Sequence, residues 1–240
     1  MKKTFVIIPA YNEERSIGRV VLEVLKNLNI TACVVVNDGS TDSTAEEALK
    51  SGAHVIQNPR NVGTGTSVAV GLRYAVNKGA DLVIFMDADG QHNPKHIGEL
   101  LKGLTKPTDL VIGSRYLSPT TTSTSFVRQV GTKIISFCLW VCCGIRIYDP
   151  TSGFRAINKR TLAYLAQEYP VVFPEPEVIL KLHQTKHSIK EVSVDMGPRG
   201  FGQSSIRPTK ALYLMLYILG KVATSRLHRF IQHGQAVNRS

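Results

Sequence analysis

Residues 81–94 read DLVIFMDADGQHNP and contain one strand, one turn and the start of one helix by their pattern. A run of apolar side chains up to residue 86 is typical of a buried strand, and two carboxylates, Asp87 and Asp89, follow at once. Pro94 then opens a stretch of helical spacing that continues through Leu104. A buried strand, a polar turn and a helix in this order predict one unit of an α/β sheet. The two like charges repel each other unless water screens them or a cation lies between them.

The same alternation continues on both sides of this stretch. Further apolar or β-branched runs predict strands at residues 4–8, 31–36, 54–57 and 109–113. Apolar positions at helical spacing predict helices at residues 17–28 and 65–79, and a third helix begins near Ser43 with Glu46 as its capping-box partner. We therefore predict an α/β fold with a mostly parallel central sheet flanked by helices.

Polar residues follow four of the predicted strands, at residues 9–12, 37–39, 87–91 and 114–115. In open sheets of parallel strands, ligands bind beyond the carboxyl ends of the strands. These four segments come from distant parts of the sequence, and the predicted topology brings them to one edge. We therefore expect the functional site at that edge.

The carboxylates of residues 87–91 suggest a metal site. On an extended segment, residues two apart point the same way, so Asp87 and Asp89 can face one divalent cation, with Gln91 another step along. Hard oxygen ligands suit Mg²⁺ or Mn²⁺. The alternative is a turn in which the carboxylates cap backbone groups. His92 is a further candidate ligand, although a solvent-facing turn histidine is the plainer expectation.

Two other loops bear on nucleotide binding. Asp38 could accept hydrogen bonds from a nucleotide base or ribose, or it could belong to a turn before a helix. Residues 61–67, NVGTGTS, could bring backbone N–H groups close to a phosphate. They lack the Lys-Ser/Thr of a P-loop, and no Gly-x-Gly-x-x-Gly follows the first strand, which argues against a nicotinamide-dependent dehydrogenase.

Charge is unevenly distributed along the 240 residues. Residues 1–120 hold 13 Lys and Arg against 12 Asp and Glu, whereas residues 121–240 hold 16 against 6. This excess predicts an anionic partner for the second half, with a solvated basic face as the alternative. Basic patches interleaved with aromatic residues are missing from the sequence, so we expect no nucleic-acid partner. The four cysteines lack zinc spacing and no signal peptide is recognisable, which predicts buried thiols and a cytoplasmic protein.

The chain changes character after residue 117. A polar loop at 118–125 precedes an apolar helix at 134–145, which is too short to span a bilayer. We predict a main domain at residues 1–206 and a basic, amphipathic helical tail at 207–240. The tail either lies at a membrane interface or packs on the core, and hydropathy does not separate the two. The interfacial alternative would use four basic anchors: Lys210, Lys221, Arg226 and Arg229.

Seven motifs occur in order: IPAYNEE at 8–14, NDGSTD at 37–42, NVGTG at 61–65, MDADGQHNP at 86–94, GSR at 113–115, DPTSGFR at 149–155 and PRGFGQSS at 198–205. This set resembles family 2 glycosyltransferases of the Rossmann-like GT-A fold, most closely the dolichyl- or polyprenyl-phosphate hexose synthases. The resemblance covers residues 4–205, and the combination is specific although each motif alone is not. Two positions depart from the common pattern: Asn37, where many relatives have Asp, and Thr64, where many carry Lys or Arg.

The resemblance implies an inverting, metal-dependent transfer of a hexose from a UDP- or GDP-linked sugar to a polyprenyl or dolichyl phosphate. The reaction would take place on the cytosolic face of a membrane, with the enzyme bound peripherally and a small membrane protein as its partner. Matched by motif, the site residues fall into four groups: Pro9, Tyr11, Glu13 and Asp38 for the nucleotide; Asp87, Asp89 and Gln91 for the metal on the diphosphate; Arg115, Arg128 and Thr132 for the acceptor phosphate; and Arg199 and Ser204 for closure over the donor or acceptor.

Two alternatives remain open. An enzyme of the same fold could add a sugar to a hydroxyl of a growing cell-surface glycan, and a carboxylate would then have to take the hydroxyl proton. Asp149 is our candidate for that base, unless it only caps the turn that follows it. The chain could also be a non-catalytic subunit that binds a nucleotide-sugar. The excess of arginines over candidate bases in the second half favours a phosphate acceptor.

Overall fold

The computed structural model describes residues 2–117, 126–197 and 220. Its strands are β1 (Thr4–Ala10), β2 (Ala32–Asn37), β3 (His54–Gln57), β4 (Leu82–Phe85), β5 (Thr108–Ser114), β6 (Arg155–Asn158) and β7 (Ser188–Ser193). Its helices are α1 (Ile17–Leu25), α2 (Thr44–Lys50), α3 (Thr64–Asn77), α4 (Ile97–Gly103), α5 (Phe126–Cys143), α6 (Lys159–Glu168) and α7 (Pro174–Gln184), and a 3₁₀ turn (Pro94–His96) precedes α4.

These strands form one sheet in the order β3-β2-β1-β4-β6-β5-β7. Strand β6 runs antiparallel to its neighbours β4 and β5, and the other described pairs are parallel. The predicted mostly parallel α/β sheet flanked by helices is therefore confirmed. Because β1, β2, β4 and β5 all point the same way, the loops that follow them meet at one edge of the sheet.

Alternating side chains of β1 serve the two faces of the sheet. Val6 and Ile8 belong to a core cluster that includes the buried face of α1 and residues of α4. Ile7 points to the other face, where α3 crosses so closely that a Cβ at Gly71 would lie 2.6 Å from Ile7 Cγ2. Glycine at residue 71 therefore allows α3 to pack directly on β1.

Some boundaries differ from the sequence-based expectations. Helix α1 ends at Leu25, so Leu28, which is 91% exposed, lies beyond the helix and not on its buried stripe. The capping box at Ser43 is wrong, because that side chain makes no capping bond and Asp42 Oδ1 accepts the Thr44 N–H at 3.0 Å instead. Helix α5 begins at residue 126 rather than 134, and the elements after DPTSGFR, namely β6, α6, α7 and β7, were not predicted.

The chain divides into two compact units. Residues 1–124 and 148–203 form the first unit, which carries the whole described sheet, and residues 125–147 and 204–240 form the second, which carries α5. None of the described helices combines the length and the apolar character needed to cross a membrane. The loop at 118–125 and the proposed tail at 207–240 lie outside the described residues, apart from residue 220, so the predicted domain boundary stays a prediction.

Candidate active site

The carboxylates that follow β4 lie in different environments. Strand β4 ends before Asp87, and Asp89 lies in a turn that Gly90 continues with a φ of +76°. The expectation of an extended segment through Asp89 is therefore wrong. The Asp87 side chain is 48% exposed, whereas Asp89 is 3% exposed and its Oδ1 accepts the Gln91 N–H at 3.0 Å. Their roles as metal ligands, and that of Gln91, stay predictions.

His92 fixes the start of this turn. Its Nδ1 accepts the backbone N–H of Asp87 at 3.0 Å, and its ring stacks on Phe154 with centroids 5.0 Å apart. Because the ring is only 4% exposed, the expectation of a solvent-facing histidine is wrong. Burial lowers the pKa of His92, and the charge of Asp87 only partly opposes this. The neutral ring then carries its proton on Nε2, which lies 3.5 Å from Asp87 Oδ2.

Gly153 brings the DPTSGFR loop against the same carboxylate. A Cβ at residue 153 would lie 3.1 Å from Asp87 Oδ1 and 3.3 Å from Oδ2, which is tighter than ordinary contact. Glycine is what lets the loop approach so closely. Two motifs that are distant in the sequence therefore meet at Asp87.

Asp38 holds the loop that leads into α3. The backbone N–H groups of Val62 and Gly63 donate to its two oxygens at 3.0 and 2.9 Å, and Asn58 Nδ2 donates to Oδ1 at 3.0 Å. Burial alone would raise the pKa of Asp38, but these hydrogen bonds outweigh it and leave the pKa below its ordinary value. The carboxylate is therefore ionised and structurally engaged, and its contact with a nucleotide stays a prediction.

The end of β1 and the loop that follows it carry three further residues predicted to bind nucleotide. Glu13 donates its N–H to Thr44 Oγ1 at 2.8 Å, and its carboxylate accepts the Ser16 hydroxyl at 2.7 Å. Tyr11 is 45% exposed, and Pro9 belongs to β1. Because β1 and β2 are neighbours, these residues and the loop after β2 lie at the same edge of the sheet.

Arg115 and Asp149 form a buried bidentate ion pair. The arginine donates from Nε to Asp149 Oδ2 and from Nη2 to Oδ1, both at 2.7 Å, and Nη2 also reaches Thr151 Oγ1 at 3.2 Å. Burial would lower the pKa of Arg115, but bonding to Asp149 outweighs it and raises the pKa. The guanidinium is therefore fixed in place and permanently charged.

Glu191 supports this pair from β7, a role that sequence reasoning missed. Its two carboxylate oxygens accept the backbone N–H groups of Tyr148 and Asp149, each at 2.8 Å. Burial raises the pKa of Glu191 although these hydrogen bonds oppose it. No sequence signal identified the residue, because it stands in the polar strand SIKEVS and its partners lie 42 and 43 positions away.

Arg155 stabilises the DPTSGFR loop through hydrogen bonds to the loop's own backbone carbonyls. It is buried, and it donates to the carbonyls of Ser152 at 2.7 Å, Pro150 at 2.9 Å and Glu175 at 2.7 Å. These bonds join the loop to the first turn of α7. Arg155 therefore has a structural role in this chain rather than that of a surface arginine.

The places of four predicted residues relative to this edge stay predictions. Arg128 and Thr132 lie on α5 in the second unit, and the side chain of Arg128 is outside the described part. Arg199 and Ser204 lie outside the described residues altogether. Within residues 2–117 and 126–197, no three His, Cys, Asp or Glu side chains are grouped so that they could hold a metal by themselves.

Comparison with known proteins identifies the family. A family model described as "Glycosyl transferase family 2" matches residues 5–165. The chain is 31% identical over 214 residues to the UDP-N-acetylglucosamine–dolichyl-phosphate N-acetylglucosaminyltransferase of Methanococcus voltae, covering 80% of this chain and 85% of that one. It is 32% identical over 216 residues to the dolichol-phosphate mannosyltransferase of Pyrococcus furiosus, covering 85% of this chain and 59% of the longer relative.

A solved structure has the same fold. Glucosyl-3-phosphoglycerate synthase from Mycobacterium tuberculosis, crystallised with Mn²⁺, UDP and phosphoglyceric acid, matches with a TM-score of 0.69 over 94% of this chain and 78% of that chain, at 20% identity. The likeness extends to most of both chains and agrees with the GT-A architecture expected from the motifs. From the family match and the two sequence relatives, the chain belongs to glycosyl transferase family 2.

Proposed function

We propose that this glycosyltransferase moves a hexose from a nucleotide-sugar to a polyprenyl phosphate. The main support for the proposal is that the loop of residues 149–155 contacts two predicted site residues. Gly153 touches Asp87, a predicted ligand of the donor's metal, and Asp149 holds Arg115, a predicted acceptor contact. One short loop therefore couples a donor site and a cationic group at the same edge of the sheet.

The residues present fit a divalent metal that arrives with a diphosphate. Mg²⁺ is commonly held by one or two carboxylates together with substrate phosphates, so a pair of protein ligands suffices. The Asp87 side chain is half exposed, so a cation can approach its carboxylate from solvent. When bound, Mg²⁺ or Mn²⁺ would neutralise the diphosphate leaving group. His92 contributes by holding the backbone of Asp87.

The ion pair favours a phosphate acceptor over a hydroxyl. Both oxygens of Asp149 are bonded to Arg115 and the side chain is fully buried, so it is poorly placed to take a proton from a sugar hydroxyl. A lipid phosphate is already anionic at neutral pH and needs no such base. Among the described contacts Nε and Nη2 of Arg115 are engaged, and Nη1 is the group we assign to the incoming phosphate.

The acceptor's lipid chain places the reaction at a membrane surface. Helix α5 presents an exposed apolar stripe at helical spacing, formed by Val130, Ile134, Phe137 and Val141. This stripe supports peripheral attachment, which we assign to the cytosolic face. A small membrane protein would be a fitting partner, and Arg128, Thr132, Arg199 and Ser204 keep their proposed places at the acceptor and donor.

Release of nucleoside diphosphate tests the proposal. Purified protein would be incubated with UDP- and GDP-linked hexoses, with and without undecaprenyl phosphate, in Mn²⁺ or in EDTA. We expect release only with the lipid phosphate and the metal both present. Release with a free glycan in place of the lipid would favour the hydroxyl acceptor. Nucleotide-sugar binding without any release would favour the non-catalytic alternative, and full activity in EDTA would overturn the metal assignment.

A further inference from the structure

The chain that leaves β7 crosses the edge of the sheet where the strand-end loops meet. Strand β7 is the outer neighbour of β5 and runs parallel to it, so it ends at that edge. Residues 194–197, which we call the strap, then return towards the turn that follows β4. The N–H of Val194 donates to the Ser114 carbonyl, and the N–H of Gly197 donates to the Gln91 carbonyl, each at 3.1 Å. The strap therefore connects the end of β5 with the turn that carries the predicted metal ligands.

Two side chains hold the strap at further points. Gln91 Nε2 donates to the Gly197 carbonyl at 3.4 Å, so Gln91 contacts this residue through both its backbone and its side chain. His96, in the 3₁₀ turn before α4, accepts the Asp195 N–H with Nε2 at 3.1 Å. The strap is thus bonded to the segment between β4 and α4 as well as to β5.

Apolar packing fixes the strap as well. Val194 is buried in the core cluster, and a Cβ at Gly113 would lie only 3.1 Å from Val194 Cγ2. Met196 forms an isolated antiparallel bridge with His92 and packs against the same cluster. The strap is therefore an ordered connection across the edge of the sheet.

Strand β6 lies between the two ends that the strap connects. Neighbouring strands are about 4.8 Å apart, so the ends of β4 and β5 are separated by roughly 10 Å. The predicted metal ligands follow β4, and Arg115, the predicted acceptor contact, follows β5. Reacting atoms must approach to about 3–3.5 Å, and a misplacement of about 1 Å can cost about 100-fold in rate. The separation of these two loops therefore matters for any transfer between donor and acceptor.

We infer that the strap sets the separation between the donor metal site and Arg115, with Gln91 and His96 as positioning residues. The inference rests on the proposed function, because it presupposes a donor at the metal turn and an acceptor at Arg115. Since the partner of the Gln91 side chain is a carbonyl, the amide must turn its nitrogen towards the strap. Gln91 was predicted only as a metal ligand, and no motif gave His96 a role.

Four variants separate positioning from metal binding. Gln91→Glu keeps a side-chain oxygen for a metal but cannot donate to the Gly197 carbonyl, and Gln91→Ala keeps neither function. His96→Leu removes the acceptor of the Asp195 N–H, and His96→Gln offers a replacement acceptor. Gln184→Glu, at the exposed end of α7, is the matched control.

Hydrogen–deuterium exchange of the full chain without substrates measures how firmly the strap is held. We expect exchange at residues 195–197 to become about threefold faster or more in Gln91→Glu, Gln91→Ala and His96→Leu, and to stay near wild type in His96→Gln and the control.

Steady-state kinetics with Mn²⁺, a nucleotide-hexose and undecaprenyl phosphate measure the effect on transfer. In the same three variants kcat should fall roughly tenfold, with KM for both substrates within about twofold of wild type, because alignment rather than binding is lost. His96→Gln should recover most of kcat. Calorimetry of Mn²⁺ with UDP should show no loss of affinity in Gln91→Glu.

Three results would overturn the inference. Unchanged exchange at residues 195–197 in Gln91→Ala and His96→Leu would show that these side chains do not hold the strap. Faster exchange with wild-type kcat would show that the strap has no part in alignment. Wild-type behaviour of Gln91→Glu, together with weaker Mn²⁺ binding in Gln91→Ala, would make Gln91 a metal ligand only. Wild-type protein that releases no nucleoside diphosphate would instead contradict the proposed function, and the exchange measurement, which needs no substrate, distinguishes the two failures.

Discussion

Asp149 is fully buried and binds Arg115 with both carboxylate oxygens, each 2.7 Å from a guanidinium nitrogen. A buried pair of this kind need not be worth much against an apolar pair, but removing one partner leaves an uncompensated charge in the interior. Loss of either residue should therefore destabilise the fold. The pair also holds Arg115 in one orientation at the carboxyl edge of the sheet.

The first prediction concerns the stability of that pair. Asp149→Asn should lower the free energy of unfolding by about 3–5 kcal/mol, because Arg115 stays buried without its counter-charge. Urea denaturation followed by circular dichroism measures the change. Glu46→Gln is the matched control, since Glu46 pairs with Lys50 at 2.8 Å on the exposed surface of α2 and should change stability little. Equal effects of the two substitutions would contradict the account of the ion pair.

The second prediction concerns Glu191 as a positioning residue. Glu191→Gln replaces one of the two side-chain oxygens that accept the backbone N–H groups of Tyr148 and Asp149 by an NH₂ donor, so the loop that carries Asp149 should shift. We expect KM for undecaprenyl phosphate to rise roughly three- to tenfold, with KM for the nucleotide-sugar unchanged. Lys190→Gln on the same strand is the control. A uniform loss of kcat without any change in acceptor KM would point to general damage instead.

The third prediction concerns pH and Asp38. The pKa of this carboxyl is lower in the folded protein than in the unfolded chain, so its charge stabilises the fold above the ordinary Asp range. That contribution is lost as the pH falls through the lowered pKa. The difference in unfolding free energy between wild type and Asp38→Asn should therefore be constant from about pH 6 to 8 and shrink below about pH 4. A difference that persisted undiminished at about pH 3 would contradict this reasoning.

The fourth prediction concerns Gly153. In Gly153→Ala the added Cβ would lie 3.1 Å from Asp87 Oδ1, so the half-exposed carboxylate must move away from the loop. We expect the Mn²⁺ concentration for half-maximal activity to rise severalfold, and calorimetry of Mn²⁺ with UDP should give the same shift. Gly98→Ala is the control, because a Cβ there meets nothing within 4 Å. If Gly153→Ala left the Mn²⁺ requirement unchanged, Asp87 would not be a ligand of the metal.

The first half of the fold could be predicted because each strand is a short apolar run followed by turn residues. Strands β1, β2, β4 and β5 have buried side chains on both faces, which gives a strong signal. Strand β6 has only four residues and opens with the buried Arg155, and β7 is a half-exposed polar strand, SIKEVS. Neither strand has a pattern that distinguishes it from a loop. The sequence therefore did not predict that β6 lies between β4 and β5 and runs antiparallel to both.

The candidate site was also predicted only in part. Motif order placed Asp38, Asp87 and Arg115 after their strands, because the ends of parallel strands converge whatever their separation in the chain. The burial of His92 depends on stacking against Phe154, which is 62 positions away, and no local pattern encodes that contact. The assumption of an extended segment from Asp87 to Asp89 failed because the chain already turns at residues 88 and 89.

The most direct test of the central claim is the mass of the lipid product. Wild-type protein and Asp89→Ala would each be incubated with Mn²⁺, undecaprenyl phosphate and a panel of nucleotide-hexoses, and the lipid fraction would be analysed by mass spectrometry. The account predicts a hexose-carrying undecaprenyl phosphate from wild type. Asp89→Ala should form at least about 100-fold less, because the metal supplies several kcal/mol of leaving-group stabilisation. Sugar found only on a glycan hydroxyl, or undiminished product from Asp89→Ala, would contradict it.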